Sequence, residues 1–334
     1  MSLTEQIKST LEQIKMVKGV ENAVLTQKDG NPIQSAGVWL SRDEIFGVCA
    51  AASAIYNVGI HLHTSELKYI LIEGKKSKIL IAPLKDSDPN SPADRILQMQ
   101  GLCNVVDDFF IAISTQPQIN LGGIFLQTRE SLKKIRRALL SSGENFLPPL
   151  REFNEHALEN INTSFNVKDN IFERNTLSRN SFCISKEIGN DINNILKHFV
   201  KNVNNLKNSI VTINGGFILS FIERDPNKNY DIETEAAMTY SLFNTSDRCA
   251  WLLKKMHIES ILLECENYFQ FINRIEDGIF TSKISKGQQK IGLLRLILPQ
   301  YIELIKKNIS KARTLPKSFQ VLNRKQLLEQ LIPT

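Results

Sequence analysis

The sequence predicts a mixed α/β fold of the α+β kind, in which one helix–strand–strand–helix–strand–strand–strand–helix unit occurs twice. Three observations support this. The same order of helical and strand-like patterns runs through each half of the 334-residue chain. Each half has a glycine-containing hairpin signal between its first two strands. A long Asn-rich, Pro-containing stretch without sustained periodicity separates the halves, and such a stretch inside one compact domain would be unusual.

Capping boxes, glycines and apolar periodicity mark the elements of the first half. Ser2-x-x-Glu5 and Ser41-x-x-Glu44 are capping boxes that open helices. Asp29-Gly30 is a strong hairpin signal, and Gly59 is expected to end the second helix. The predicted elements are a helix at 2–17, strands at 23–27 and 33–39, a helix at 41–58, strands at 68–73, 78–84 and 109–114, and a helix at 121–140.

The second half repeats this order. Asn214-Gly215 between its first two strands is typical of a type I′ hairpin, in which both central residues have positive φ. The predicted elements are a helix at 186–206, strands at 209–213 and 217–221, a helix at 231–253, strands at 259–264, 268–274 and 278–284, and a helix at 291–309.

Short local similarities support the repeat. A serine lies near the end of the second strand in each half, and a pair of alanines lies in each middle helix. The last helix of each half begins with an apolar residue followed by glycine. The matching segments are Ser35 with Ser220, Ala51-Ala52 with Ala236-Ala237, and Leu121–Leu126 with Ile291–Leu296.

These patterns divide the chain into two similar domains. We expect the first domain at 1–140, with an insertion at about 85–107 that the second copy lacks. An Asn-rich linker follows at 141–184, and the second domain is expected at 185–309. Residues 310–334 form a basic C-terminal tail.

Composition predicts a cytoplasmic protein with a basic end. The five cysteines are dispersed without a CxxC pair, and the chain begins with polar residues instead of an apolar leader. No apolar run approaches the roughly 20 residues that span a bilayer. From Lys306 onward there are seven basic side chains and one acidic one, which accounts for the net charge of +6. Such a tail suits an acidic partner or an anionic membrane surface, or is simply a solvated helix end.

Motifs for chemistry are missing from the sequence, so no enzyme, cofactor or metal site is predicted. There is no GxxxxGK[ST], GxGxxG, HExxH or GxSxG pattern. His61-x-His63 is interpreted as part of a helix-to-strand connection, and the pairs Glu264-x-Glu266 and Asp107-Asp108 as solvated charge. Basic residues are not interleaved with aromatic ones, so nucleic-acid binding is not predicted.

The order of elements resembles that of the roadblock family, the dynein light-chain type of domain. The segments that carry the resemblance are Asp29-Gly30 with the helix after it, KYILIE (68–73), KILIAPL (78–84) and NLGGIF (120–125) in the first copy, and INGGFILS (213–220), the helix at 231–253, HIESILLE (257–264) and KIGLLRL (290–296) in the second.

The resemblance implies a three-layer domain, with a five-stranded antiparallel sheet between helices. Members of this family pair into two-fold dimers with a continuous sheet and packed middle helices. We therefore expect the two copies to form an intramolecular pseudo-dimer, since an open sheet edge invites another strand and tandem fusion supplies one. The interface candidates on the middle helices are Phe46, Ala50, Ala51, Ala54, Ala236, Ala237, Tyr240 and Ser241.

The resemblance also implies a non-enzymatic scaffold or regulator of small GTPases, with other roadblock or longin-type proteins as further partners. Arg42, Arg224 and Arg248 are conceivable arginine fingers. They are not favoured, because roadblock-type regulators are expected to act by contacting and reshaping the GTPase. The alternative functions are a small-molecule sensor module and a membrane-surface adaptor that uses the basic tail.

Overall fold

The structure, a computed structural model, describes residues 2–37, 41–63, 67–84, 108–141, 186–224, 231–254, 256–276, 278–287 and 291–314. The helices are α1 (Leu3–Lys15), α2 (Arg42–His63), α3 (Leu121–Ser141), α4 (Lys186–Asn202), α5 (Ile232–Lys254) and α6 (Ile291–Thr314). The strands are β1 (Val20–Gln27), β2 (Pro32–Gly37), β3 (Leu67–Gly74), β4 (Lys78–Pro83), β5 (Phe109–Thr115), β6 (Leu206–Ile213), β7 (Phe217–Glu223), β8 (Ile258–Cys265), β9 (Tyr268–Ile275) and β10 (Gly278–Ser285).

The strands form one ten-stranded antiparallel sheet in the order β2-β1-β5-β4-β3-β8-β9-β10-β6-β7. We call the part from α1 to α3 the first unit and the part from α4 to α6 the second unit. The strand order within each unit is the same when read from its outer edge. The units meet where β3 pairs with β8. The expected order of strands in both units and the continuous sheet are therefore confirmed.

Helices cover both faces of the sheet and give three layers. The pairs α1/α3 and α4/α6 cover what we call the four-helix face, and α2 and α5 cover the two-helix face. Strand β3 shows how the sequence separates the faces, because Leu71 belongs to the four-helix core while Ile70 and Ile72 belong to the two-helix core. Each core contains residues from both units, so burial of apolar side chains continues across the junction.

Helix α2 is longer than predicted. Gly59 was expected to end it, but the helix continues to His63. A Cβ on Gly59 would lie 2.7 Å from the Ile70 side chain, so glycine lets the helix approach β3 closely without ending it. Among the described residues, α2 is the one helix long and apolar enough to span a membrane. Its packing against the sheet and against α5 accounts for that apolar composition.

The hairpins correct two details of the predicted repeat. Positive φ occurs at Gly215 and Gly216, so the type I′ assignment to Asn214-Gly215 was wrong. Gly30 of the first hairpin also has positive φ, and a Cβ on it would lie 3.3 Å from Ala50. The matching distance in the second unit is 3.2 Å, from Gly216 to Ala237. Ala237 is thus equivalent to Ala50. The sequence comparison had matched Ala237 with Ala52, two residues later.

Candidate interaction site at the junction of the two units

The junction is an antiparallel strand pair with pseudo-two-fold symmetry. Leu71 is paired with Leu262, and each is the fifth residue of its strand, so the pseudo-axis passes between them. On either side, Ile70 faces Leu263 and Ile72 faces Ile261. The strands share the pattern Ile-Leu-x-Glu, at 70–73 and 261–264. Equivalent residues of the two units therefore meet across the junction, as in a two-fold dimer.

On one side of the axis an arginine from the second unit binds a glutamate of the first. Arg295 in α6 donates from both terminal nitrogens to the Glu73 carboxylate, at 3.3 and 3.0 Å. The same carboxylate lies 2.9 Å from Lys78 Nζ and accepts a 3.4 Å hydrogen bond from Ser260 in β8. All of these groups except the serine are charged, and they lie at the partly covered edge of the four-helix core. This cluster ties α6 to the first unit's edge strand.

On the other side of the axis, two aromatic rings pack against each other. Tyr69 of β3 is paired with Glu264 of β8, and its ring lies 5.3 Å from that of Phe125 in α3. Burial raises the pKa of Tyr69, and the nearby Glu264 raises it further. Glu264 itself forms a 2.6 Å ion pair with Lys286. Phe125 occupies in α3 the position that Arg295 occupies in α6, so the two units present different chemistry at equivalent places.

Two equivalent leucines beside these contacts are strongly exposed. Leu126 follows Phe125 and is 68% exposed, and Leu296 follows Arg295 and is 72% exposed. Their preceding residues contact Tyr69 and Glu73, which are four residues apart on one face of β3 and so roughly 13 Å apart. The first turns of α3 and α6 thus both border the junction, one on each side of the pseudo-axis. We call Leu126 and Leu296 the leucine pair.

On the two-helix face, the end of α2 enters the second unit. His63 Nδ1 lies 2.7 Å from the Tyr268 hydroxyl, and both side chains are buried. Burial, together with the smaller effect of the positive charge of Lys283, lowers the pKa of His63 from its ordinary 6.5 to about 3. The imidazole is therefore neutral at physiological pH. The prediction that His61 and His63 lie in a connection was wrong, since both are in the last turn of α2.

The eight interface candidates are distributed over several environments. Ala51 is buried and Tyr240 half-buried, and both pack in the core that the two units share. Phe46 and Ala236 are also buried, at 2% exposure each. The other four, which are Ala50, Ala54, Ala237 and Ser241, are exposed. Helices α2 and α5 do contact each other, but the assignment of these eight side chains to that contact stays a prediction.

A buried ion pair lies beneath α5. Lys283 Nζ is 3.5 Å from a Glu235 oxygen, and both side chains are less than a tenth exposed. Asn208 donates a 2.9 Å hydrogen bond to the same carboxylate. Strand register makes Lys283 equivalent to Ser114 of the first unit, which has no charge there. The polar cluster is therefore a feature that the second unit does not share with the first.

Sequence reasoning missed Glu73, Arg295, Tyr268 and the Glu235–Lys283 pair. The shared Ile-Leu-x-Glu pattern was the available signal for the junction strands, whereas the ion pairs join residues distant in sequence and leave no local pattern. Charges interpreted as solvated mostly form surface ion pairs, such as Lys28–Asp108 at 3.1 Å and Lys68–Glu266 at 4.0 Å. Asp107 lies outside the described residues.

The three arginines considered as arginine fingers belong to different parts of the fold. Arg42 begins α2, Arg224 follows β7 and Arg248 lies in α5, and all three are exposed. In the part of the chain that the structure describes, no group of three or more His, Cys, Asp or Glu side chains is arranged to hold a metal ion. The insertion at 85–107, the linker and most of the tail are outside that part.

Solved structures similar to this chain include three bacterial proteins, each matched over nearly its whole length. A Roadblock/LC7 domain from Streptomyces avermitilis matches with 14% identity over 42% of this chain and 99% of its own, with a TM-score of 0.31. The gliding protein MglB from Thermus thermophilus matches with 13% identity over 39% of this chain and 97% of its own, with a TM-score of 0.36. MglB from Myxococcus xanthus has 14% identity, coverage of 41% and 96%, and a TM-score of 0.30. These scores are too low to support an argument on function.

Comparison by sequence is more specific for the first unit. No characterised protein matches the chain significantly. The Roadblock/LC7 domain family matches residues 6–87, which extend from α1 to just beyond β4. Residues 6–87 of the first unit are therefore similar to the Roadblock/LC7 domain family, and the second unit repeats the topology of the first.

Proposed function

We propose that this protein is a non-enzymatic scaffold that binds and regulates a small GTPase in the cytoplasm. The observation that carries the proposal is the continuous sheet, in which a unit similar to the Roadblock/LC7 domain family pairs through β3 and β8 with a second unit of the same topology. The resemblance implied such a pair as the working form of the family. Here one chain supplies both halves, so the platform forms without a concentration-dependent step.

The division of the chain follows from this platform. We place the two domains at 1–140 and 185–309, and α6 extends beyond 309 to Thr314. The linker at 141–184 would set the local concentration of one unit near the other. In the alternative function, the basic tail at 310–334 would bind a membrane surface. Most of this tail lies outside the described residues.

The leucine pair is the surface at which we place the partner. Leu126 and Leu296 are the two most exposed leucines of the described residues and occupy equivalent places in the two units, so they are candidates for contact with a partner. Leu126 and Leu296 come from different units, so a partner that contacts both would bind only the assembled pseudo-dimer. Arg295 and Glu73 at their side supply charges that a polar rim can use.

A nucleotide-dependent pull-down tests the proposal. The full chain would be immobilised and offered the small GTPases of its genome, each loaded with GDP or a non-hydrolysable GTP analogue. We expect one of them to bind with a clear preference for one nucleotide state. Leu126→Asp and Leu296→Asp should each weaken this binding at least tenfold, since a charge would be buried at the contact.

The matched control is Met16→Asp, because Met16 is 84% exposed and ends α1 away from the junction. It should bind like the wild type. If no GTPase in either nucleotide state binds above background, the proposal is wrong. If binding occurs but the leucine variants bind as the wild type does, the scaffold function stands and the docking site lies elsewhere.

A further inference from the structure

The two ends of the ten-stranded sheet occupy equivalent places in the two units but differ in exposure. Within the described residues, β2 pairs only with β1, and β7 pairs only with β6. Both edge pairs have a register shift at the same place, between Leu25 and Thr26 and between Val211 and Thr212. The two edges therefore share one backbone arrangement. Differences between them lie in the side chains and in how far these are buried.

Strand β2 is protected and β7 is not. Four of the six residues of β2 are buried, and none of the seven in β7 is. Phe217 is 74% exposed and Phe221 is 49% exposed. The register makes Phe221 equivalent to Ser35, since they pair with equivalent residues of β6 and β1. An aromatic side chain on β7 thus stands in the place of a hydroxyl on β2.

Strand β7 also lacks the features that usually protect an edge. Its sequence, FILSFIE, contains no proline, glycine or lysine, and its one charge is Glu223 at the end. Strand β2, in contrast, begins with Pro32, which has no N–H, and ends with Gly37. An exposed apolar edge strand with open N–H and C=O groups is a template on which another strand pairs.

We infer that β7 pairs with β7 of a second copy of this chain, antiparallel and about a two-fold axis. The chain already makes a junction of this kind, because β3 and β8 are edge strands of their units that pair antiparallel about a pseudo-two-fold axis. In an antiparallel pair the two Glu223 carboxylates lie at opposite ends of the ribbon, so like charges stay apart, while the apolar residues between them face each other.

A second copy fits this edge better than a β7–β2 contact does. Pairing of β7 with β2 of another molecule would leave further edges open and extend into filaments. The buried residues of β2 and the missing N–H of Pro32 disfavour that contact. Pairing of β7 with itself closes after two molecules, so the inference predicts a dimer and nothing larger.

Sedimentation equilibrium of the full chain, over concentrations from low to high micromolar, tests the inference. We expect a reversible monomer–dimer equilibrium. Phe217→Lys and Phe221→Lys together should raise the dimer dissociation constant by roughly tenfold or more, which corresponds to about 1.4 kcal/mol. Since both side chains are exposed, the variant should keep the circular dichroism and melting temperature of the wild type. Ser35→Lys, at the equivalent place on β2, is the matched control and should dimerise normally.

Hydrogen exchange gives a second measurement that does not depend on a substitution. In the wild type, amides of β7 should exchange more slowly as concentration rises, while those of β2 should not change. A chain that stays monomeric throughout, or a dimer that persists in the folded double-lysine variant, overturns the inference. Because these tests use the chain alone, their failure is separate from failure to bind a GTPase.

Discussion

Arg295 of the second unit and Glu73 of the first are joined by two hydrogen bonds across the junction. This pair has no counterpart on the other side of the pseudo-axis. The residue of the first unit that is equivalent to Arg295 is Phe125, which packs on Tyr69. The two units have the same topology, but charged groups meet on one side of the axis and aromatic rings on the other. The two units are thereby distinguishable to a partner.

Replacing Arg295 should weaken the junction moderately. Arg295→Met removes both hydrogen bonds, and because the two side chains are 30% and 19% exposed we expect a loss of about 1 kcal/mol in the free energy of unfolding. Arg295→Lys keeps the charge but not the planar two-nitrogen contact, and should lie between Met and the wild type. Urea denaturation measures this, and equal stability of all three proteins would show that the pair contributes nothing.

The burial of His63 makes stability depend on pH. In the folded chain the pKa of His63 is about 3, whereas in the unfolded chain it is near 6.5. Between those values the unfolded state binds a proton that the folded state does not, so stability is complete above pH 6.5 and is lost as the pH falls towards 3. From about pH 7 to about pH 5 this one residue should cost about 2 kcal/mol.

His63→Gln keeps a hydrogen-bonding group and cannot titrate, so it should reduce the loss of stability between about pH 7 and about pH 5. The control is His61→Gln, because His61 is exposed in the same turn of α2. Urea unfolding at the two pH values measures the difference. The same pH dependence in wild type and His63→Gln would mean that the buried imidazole is not its source.

The order of elements could be predicted because it depends on local patterns. Capping boxes at Ser2 and Ser41 formed as expected, and each last helix began at the predicted residue, Leu121 or Ile291. What failed depended on contacts between distant residues. Gly59 is locally typical of a helix end, but its close contact with β3 requires a glycine inside the helix. The resemblance supplied the pairing of units, which apolar periodicity cannot give.

The offset between the second strands of the two units has a similar cause. Ser35 and Ser220 match in sequence but not in structure, since the strand register makes Ser35 equivalent to Phe221. A strand places alternate residues on opposite faces, so an error of one residue exchanges the faces. For this reason the sequence comparison did not show that an exposed phenylalanine on β7 takes the place of a serine on β2.

Removing one partner of the Glu235–Lys283 pair should lower the free energy of unfolding strongly, whereas replacing both partners should lower it little. Glu235→Gln leaves the Lys283 ammonium buried without its anion, so we expect a loss of about 3–5 kcal/mol. The double variant Glu235→Leu with Lys283→Met should recover most of that loss, because apolar residues of similar volume need no desolvated charge. Thermal and urea unfolding of both variants give the comparison. A double variant no more stable than Glu235→Gln would contradict this account.

The buried cysteines should resist alkylation in the folded protein. Burial raises the pKa of Cys49 to about 12 and that of Cys249 to about 11, and the thiolate is the reactive form. Thr26 donates a 3.0 Å hydrogen bond to the Cys49 sulfur, which lowers the pKa of Cys49 by less than burial raises it. Iodoacetamide at about pH 8 should therefore label both residues slowly in native protein and readily in urea, as measured by peptide mass spectrometry. Native labelling as fast as in urea would exclude this burial.

The two units should stay together after the chain between them is cut. A protease site inserted within 141–184 would separate the chain into two fragments, each holding one unit. The contacts that still join them include the β3–β8 pair, the shared core on each face, the His63–Tyr268 contact and the Arg295–Glu73 hydrogen bonds. Gel filtration of the cut protein should therefore show one peak that contains both fragments.

A charge at the pseudo-axis should reverse that result. Leu71 and Leu262 are 1% and 3% exposed, so Leu71→Asp would bury a carboxylate between the units. The cut variant is expected to separate, and circular dichroism of the uncut variant shows whether the units remain folded. If the cut wild-type protein elutes as two separate species, the units do not hold each other, and a platform built from both of them cannot be how this chain binds a partner.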